Sequence, residues 1–279
     1  MIFRLALLSA VVSLAVLPLP AQQWRRMEVS RQLRDSGEHR VRVQYGAGNL
    51  TVTPAPGSLL YQMQLRYDED SGEPVHFFDT TARKLTVGLD KQTMRLARSV
   101  RGNRGELRLA LTNQVPIDLT LDLGAVKADL DLTGLKLSGL RLSSGATEMR
   151  VRVDSANAVT MDMLEIDVGA ASLRIDGVAN LNAARVRANV GVGELDMDFS
   201  GEWTRDVEAT VDLALGHVRL RIPSDVGVRI EIDRFFSSFE RDNFTKRGSA
   251  YFSRNWDDAK YHLEVKVNAA LGSVEIDHR

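Results

Sequence analysis

The stretch Leu121-Asp122-Leu123-Gly124, followed by Leu130-Asp131-Leu132, sets out a figure that the chain repeats. Alternating apolar residues run into a glycine, a few residues intervene, and the alternation resumes. The figure returns at Leu142-Ser143-Ser144-Gly145 with Met149-Arg150-Val151-Arg152-Val153, and at Ile166-Asp167-Val168-Gly169 with Leu173-Arg174-Ile175. Two more copies are Val190-Gly191 with Leu195-Asp196-Met197-Asp198-Phe199, and Leu213-Ala214-Leu215-Gly216 with Val218-Arg219-Leu220-Arg221-Ile222. Glycines 124, 145, 169, 191 and 216 are separated by 21, 24, 22 and 25 residues. A period of that size marks a solenoid, in which a repeat buries its apolar face only by stacking on its neighbours.

From Arg40 onward the alternation has period two, which specifies β-strands. Met27 to Leu33 is the one short helical candidate. Within each repeat a second, less regular strand is expected midway, as in Leu135 to Leu142 and Val159 to Met163. The predicted fold is therefore all-β: a single-stranded parallel β-solenoid with coils of about 22 residues, preceded by an irregular β cap. Coils stacked about 4.8 Å apart would make six of them a rod of roughly 30 Å. Glycine suits each corner, where the chain bends sharply between two flat faces. Leu195, Met197 and Phe199 face inward with Val218, Leu220 and Ile222, while Asp196, Asp198, Arg219 and Arg221 form an outward, solvated ladder.

The chain divides on texture. Residues 1–21 read as a signal peptide: Arg4 is the positive end, Leu5 to Leu17 the apolar run, and Ala21 the small residue at the cleavage point. The run is shorter than the roughly 20 residues of a comfortable membrane span; a retained anchor is the alternative. Residues 40–114 form the N-terminal β cap region and 115–279 the solenoid repeat domain. An aromatic and charged insertion occupies 235–261, and a last copy follows over Leu263 to Ile276. Both irregular regions are the natural covers for solenoid ends.

Composition narrows the chemistry. Cysteine is absent, which removes disulfides, thiolate sites and a lipid-modified N-terminus. The expected location is exported, in the periplasm or at the cell surface. Lysine and arginine number 36 against 37 acidic residues, so no domain-wide basic field exists for nucleic acid. His39, His76, His217, His262 and His278 are scattered, without metal-ligand spacing. The outward carboxylates lack the glycine-rich nonapeptide of calcium β-rolls, and the neighbouring arginines point to cross-coil charge pairs. No G-x-S-x-G occurs. Gly46-Ala47-Gly48 and Gly191-Val192-Gly193 lack the third glycine of a dinucleotide site. No catalytic residue, metal site or cofactor is assigned. The one surface singled out is a basic loop, with Lys91, Arg95, Arg98, Arg101, Arg104 and Arg108 against Glu106 alone. It reads either as a contact for anionic lipid or wall polymer or as a solvated loop balancing acidic coils.

The segments Gly46-Ala47-Gly48-Asn49-Leu50-Thr51-Val52, Val115-Pro116-Ile117-Asp118-Leu119 running to Gly124, and Leu271-Gly272-Ser273-Val274-Glu275-Ile276 resemble the toast-rack proteins. These are β-solenoid domains of bacterial envelope proteins, including adhesin-like domains and the C-terminal domain of LiaF-type cell-wall-antibiotic response proteins. LiaF-type members place membrane helices before this domain. The resemblance runs from about residue 40 to the end, and those families carry no catalytic motif to transfer. The expected function is an exported, non-enzymatic envelope scaffold or adhesion protein. Its expected partner is an envelope protein or an anionic polymer or lipid, with self-association through exposed solenoid ends. The alternatives are an accessory domain modulating a membrane stress sensor, and a carbohydrate-active enzyme, which would need two carboxylates about 5–9.5 Å apart in a cleft.

Overall fold

The computed structural model describes residues 23–69, 72–89, 105–234 and 244–279. Residues 1–21 and the basic positions Lys91, Arg95, Arg98, Arg101 and Arg104 lie outside the described residues. The described chain is all-β. Its strands are β1 (Trp24–Gln32), β2 (His39–Pro54), β3 (Leu59–Asp68), β4 (Pro74–Asp79), β5 (Lys84–Leu89), β6 (Glu106–Leu111), β7 (Pro116–Asp131), β8 (Lys136–Arg152), β9 (Met161–Asp176), β10 (Ala183–Asp198), β11 (Val207–Ile222), β12 (Gly227–Arg234), β13 (Phe244–Arg247), β14 (Ala250–Ser253) and β15 (His262–His278). A 3₁₀ turn spans Val178–Leu181.

All fifteen strands join one sheet, in the order β1-β3-β6-β2-β7-β8-β9-β10-β11-β15-β12-β14-β13, with β5 attached to β2 and β4 to β5. The central run β2-β7-β8-β9-β10-β11-β15 is parallel throughout. Antiparallel pairs lie outside this run: β1 with β3, β3 with β6, β4 with β5, β12 with β14 and β14 with β13.

Each long strand is folded back on itself. A straight strand of 17 residues such as β8 would be about 56 Å long. Yet Asn157, five residues beyond its last residue Arg152, bonds both the N–H and the carbonyl of Leu137 near its start, at 3.1 and 2.7 Å. Five residues span at most about 18 Å, so the two ends of β8 must lie close together. The strand is two arms joined by a bend. The midway strand expected from the sequence is thus the first arm, continuous with the second.

Burial locates the bend. In β7, Ile117, Leu119, Leu121 and Leu123 are buried, and after Gly124-Ala125 so are Val126, Ala128 and Leu130. The inward set changes from odd to even numbers, because an extra residue at the bend turns the second arm's inner face back toward the first. Both inner faces then close on one apolar interior. The same switch occurs in β10 and β11, from Val190 to Leu195 and from Leu213 to Val218.

Stacking these bends brings backbone against backbone. Gly46, Gly124, Gly145, Gly169, Gly191, Ala214 and Ala270 share one column of the parallel register. Gly216 is not in it. It stacks two residues further on, with Gly193 and Gly272, so the last spacing read from the sequence compares two different columns. Gly193, Gly216 and Gly272 have φ of 133°, 142° and 146°, a region L-residues rarely adopt. A Cβ on Gly216 would meet the Gly193 carbonyl oxygen at 1.8 Å, whereas one on Gly145 would find the Gly124 oxygen at 3.5 Å. Strands β2 and β10 carry glycine in both columns, Gly46 with Gly48 and Gly191 with Gly193, and Gly48 also has a positive φ of 130°.

Two further expectations change. Met27 to Leu33 is largely the strand β1, held by antiparallel pairing to β3; a short amphipathic run takes the form its neighbour offers. Arg108 lies on β6 rather than in a loop, because β6 pairs in parallel with the second arm of β2.

Gly216→Ala is expected to destabilise the chain by more than about 2 kcal/mol, from backbone strain and the carbonyl clash. Gly145→Ala should stay within about 1 kcal/mol of the parent. Denaturant unfolding of the two variants checks this, and equal losses would contradict the difference in backbone approach between the two positions.

Candidate functional site: an apolar edge and its groove

At the bend, side chains cannot all turn inward. The residue after the first glycine column faces out in every coil, and these residues are Ala47, Ala125, Ala146, Ala170, Val192, Leu215 and Leu271, stacked in register. All seven are exposed. Val192, Leu215 and Leu271 are 49, 47 and 49 % accessible, so three large aliphatic side chains stand in line on one edge. Side chains grow from alanine to leucine along the stack.

Beside this edge runs a groove of about 1210 Å³ across β9, β10, β11 and β15. Gly169, Gly191, Ala214 and Ala270 form its floor, where missing side chains leave the depression. Asp167, Asn189, Asp212 and Asn268 form one wall, and Leu271 stands at its end. Asn189 Nδ2 donates to Asp167 Oδ1 at 2.5 Å, and Asn268 Nδ2 to Asp212 Oδ1 at 2.6 Å. No cation lines the groove.

The second arms carry a different electrostatic pattern. There the carboxylates are paired with arginines across coils: Asp131 with Arg152 at 2.9 Å and Asp176 with Arg150 at 3.1 Å, and Arg174 of the same strand joins Asp176 at 2.9 Å. Arg221 reaches Asp196 at 3.0 Å and Asp198 at 3.2 Å, and Arg219 reaches Glu275 at 2.7 Å. These are the charge pairs expected from the sequence. Asp167 and Asp212 have no ion pair among the described residues. No group of three or more histidines and carboxylates is placed to hold a metal among the described residues.

Of the basic residues singled out in the sequence, Arg108 is described, and its guanidinium is tied to Glu106 at 2.7 Å. The remaining five belong to segment 90–104, whose flanking residues are placed. Strand β5 stacks on the first arm of β2 as far as Gln44↔Gly88, and β6 stacks on the second arm from Asn49↔Glu106. The described residues on either side, Leu89 and Gly105, therefore lie at the bend, on the same edge as the apolar ladder. Val192, Leu215 and Leu271 escaped the sequence reading. In Leu213-Ala214-Leu215 both leucines share one parity, so alternation alone assigns both to the core.

The family described as the N-terminal domain of toast_rack, DUF2154, matches residues 21–176. This chain belongs to the toast-rack family. Among solved structures it is similar to a candidate cell adhesion protein from Clostridium sporogenes, at 17 % identity and a TM-score of 0.46, over 91 % of this chain and 100 % of that one. A candidate adhesin from Bacteroides fragilis is similar at 12 % identity and a TM-score of 0.36, over 92 % and 98 % of the two chains. A candidate lipid-binding protein from Parabacteroides distasonis stands at 9 % and 0.27, over 90 % and 96 %. Likeness at these values carries no argument about function. No curated protein matches.

Asp198 gives the paired ladder a pH signature. Burial pushes its pKa up, but the backbone N–H and hydroxyl of Ser200 and the Arg221 guanidinium outweigh that and hold it below the usual carboxylate range. Asp131 is lowered in the same way, against burial, by Thr133 and Arg152. A carboxyl whose folded pKa lies below its unfolded value of about 3.9 stabilises the fold fully above that value, and the contribution fades as pH falls through the folded pKa. Thermal unfolding temperature should therefore be flat between pH 5 and 7 as far as these groups are concerned, and fall below about pH 4. Asp198→Asn should lower it at pH 7 and make the acid fall shallower. An unchanged acid limb in that variant would remove Asp198 from the account.

Proposed function

We propose that this chain is an exported, non-enzymatic envelope protein that serves as an interaction scaffold, with the bend edge as its contact surface. In this reading residues 1–21 are the signal, 40–114 a cap, and the rest a stiff stack of coils of about 22 residues. The observation that carries it is the aligned exposure of Val192, Leu215 and Leu271 beside a groove with an apolar floor. Apolar side chains exposed singly need no explanation, but a contiguous row of them marks an interaction site. On the second arms, by contrast, Asp131, Asp176, Asp196 and Asp198 are tied to arginines of the same face, which leaves those groups less to offer a partner. Membership of the toast-rack family accords with an envelope setting.

Site-specific photo-crosslinking in the source cell checks this. A crosslinker at Leu215 is expected to give discrete adducts, and one at Arg152, on the charge-paired face, none. Identical adducts from the two positions, or none from Leu215, would contradict the reading.

A further inference from the structure

The groove states what its occupant must be. Its floor is apolar, its wall presents two carboxylates bonded only to amides, and no cation lines it. Glu194, exposed on the same edge, adds to the negative field. An anionic lipid surface would meet like charge here, which disfavours it. An apolar, cationic and extended chain fits both surfaces.

The sequence supplies such a chain. Residues 91–104 contain Lys91, Arg95, Arg98, Arg101 and Arg104 and no carboxylate, interleaved with Met94, Leu96 and Val100. The arginines recur every third residue. Three residues of extended chain cover about 9–10 Å. Asp167 on β9 and Asp212 on β11 are two ladder steps apart, about 9.6 Å. The cation spacing of the segment thus matches the carboxylate spacing of the wall.

Reach decides which molecule provides it. Segment 90–104 has 15 residues with both ends fixed at the bend of the coil beside β2. Going out and returning, it extends at most about 25 Å. Along the stack, Asp167 is four ladder steps away, about 19 Å, but Asp212 is six steps away, about 29 Å. A chain's own segment cannot engage both carboxylates. A second copy's segment is free of that limit.

We propose that the groove along β9–β15 receives the basic segment 90–104 of a second copy of this chain, which makes the apolar edge a self-association surface. This rests on the reading of that edge as a contact surface and names its partner. A fluorescein-labelled peptide of residues 90–104, titrated with the purified chain and read by fluorescence anisotropy, tests it. Saturable binding that weakens with salt is expected. It should weaken at least tenfold with Asp167→Asn/Asp212→Asn and with Leu215→Ser/Leu271→Ser, and be unchanged with Asp129→Asn, which lies off the groove. By light scattering, the mass of the intact chain should rise with concentration. Arg98→Glu/Arg101→Glu should abolish that rise, and adding Asp167→Arg/Asp212→Arg to the same chain should restore it. Peptide binding indifferent to the groove variants, equal binding of a peptide with its arginines replaced by glutamate, or no peptide binding would each overturn the proposal. So would phosphatidylcholine vesicles captured through Leu215 without peptide binding. If the peptide fails while Leu215 still crosslinks another protein in the cell, the contact surface stands and self-association alone falls.

Discussion

At several of the bends the carbonyl oxygen of one coil occupies the space that a side chain of the next would need. The Gly193 oxygen would stand 1.8 Å from a Cβ on Gly216, and the Gly46 oxygen 2.0 Å from one on Gly124. Coils stacked at the hydrogen-bonding distance of about 4.8 Å cannot separate locally to admit one. Glycine is therefore required where the backbones approach this closely, as at Gly124, Gly193 and Gly216, while Ala214 and Ala270 stand in the same bends where a Cβ is accommodated. Everything else about the edge follows from this. Small residues leave a depression beside the bend, and the residue following them has no inward direction to take. The apolar ladder is a by-product of folding the strand tightly, and it becomes a feature where β10, β11 and β15 place valine and leucine in it.

Two forces divide the labour in the rest of the stack. Inward residues such as Leu142, Ile166, Val211 and Leu220 are fully buried, and each contributes about 1.5–3 kcal/mol. The ion pairs on the second arms are mostly half exposed, and such pairs contribute about 0.2–1 kcal/mol each. The core therefore holds the stack, and the charges act on register. Arg150 and Arg174 sit directly beside one another across β8 and β9, which alone would be repulsive. Both guanidiniums bond Asp176, so slipping one strand would leave like charges unscreened. Arg221, whose side chain is only 11 % accessible, lies among Asp176, Asp196 and Asp198. On the first arms this pattern lapses at Asp167 and Asp212, beside the apolar edge.

Much of the all-β, mostly parallel architecture was legible because period two and the recurring glycine figure are both written in the side chains. Leu195-Asp196-Met197-Asp198-Phe199 shows its inner and outer faces without help. The exact bend was not legible. Gly191-Val192-Gly193 offers two glycines, and only stacking against Ala171 and Ala214 tells which column each serves. Leu215 was hidden for the same reason, since its parity matches Leu213 and the extra residue at the bend breaks that parity in space. The groove was beyond sequence altogether, as its floor joins residues from four strands, up to 101 positions apart between Gly169 and Ala270. The basic segment could be recognised by composition, but that its described flanks meet the apolar edge needed the pairing of β5 and β6 with the two arms of β2.

The fold-back of each long strand is the claim on which edge, groove and docking all depend. The chain contains no cysteine, so spin labels can be placed cleanly at Lys136→Cys and Asp154→Cys, at the start and just past the end of β8. Double electron–electron resonance then measures their separation. A strand bent at Gly145 gives a distance below about 30 Å, label arms included, whereas an unbent chain between these positions gives about 60 Å. The short distance is the expected result, and the long one would contradict the bend and the contact edge it creates.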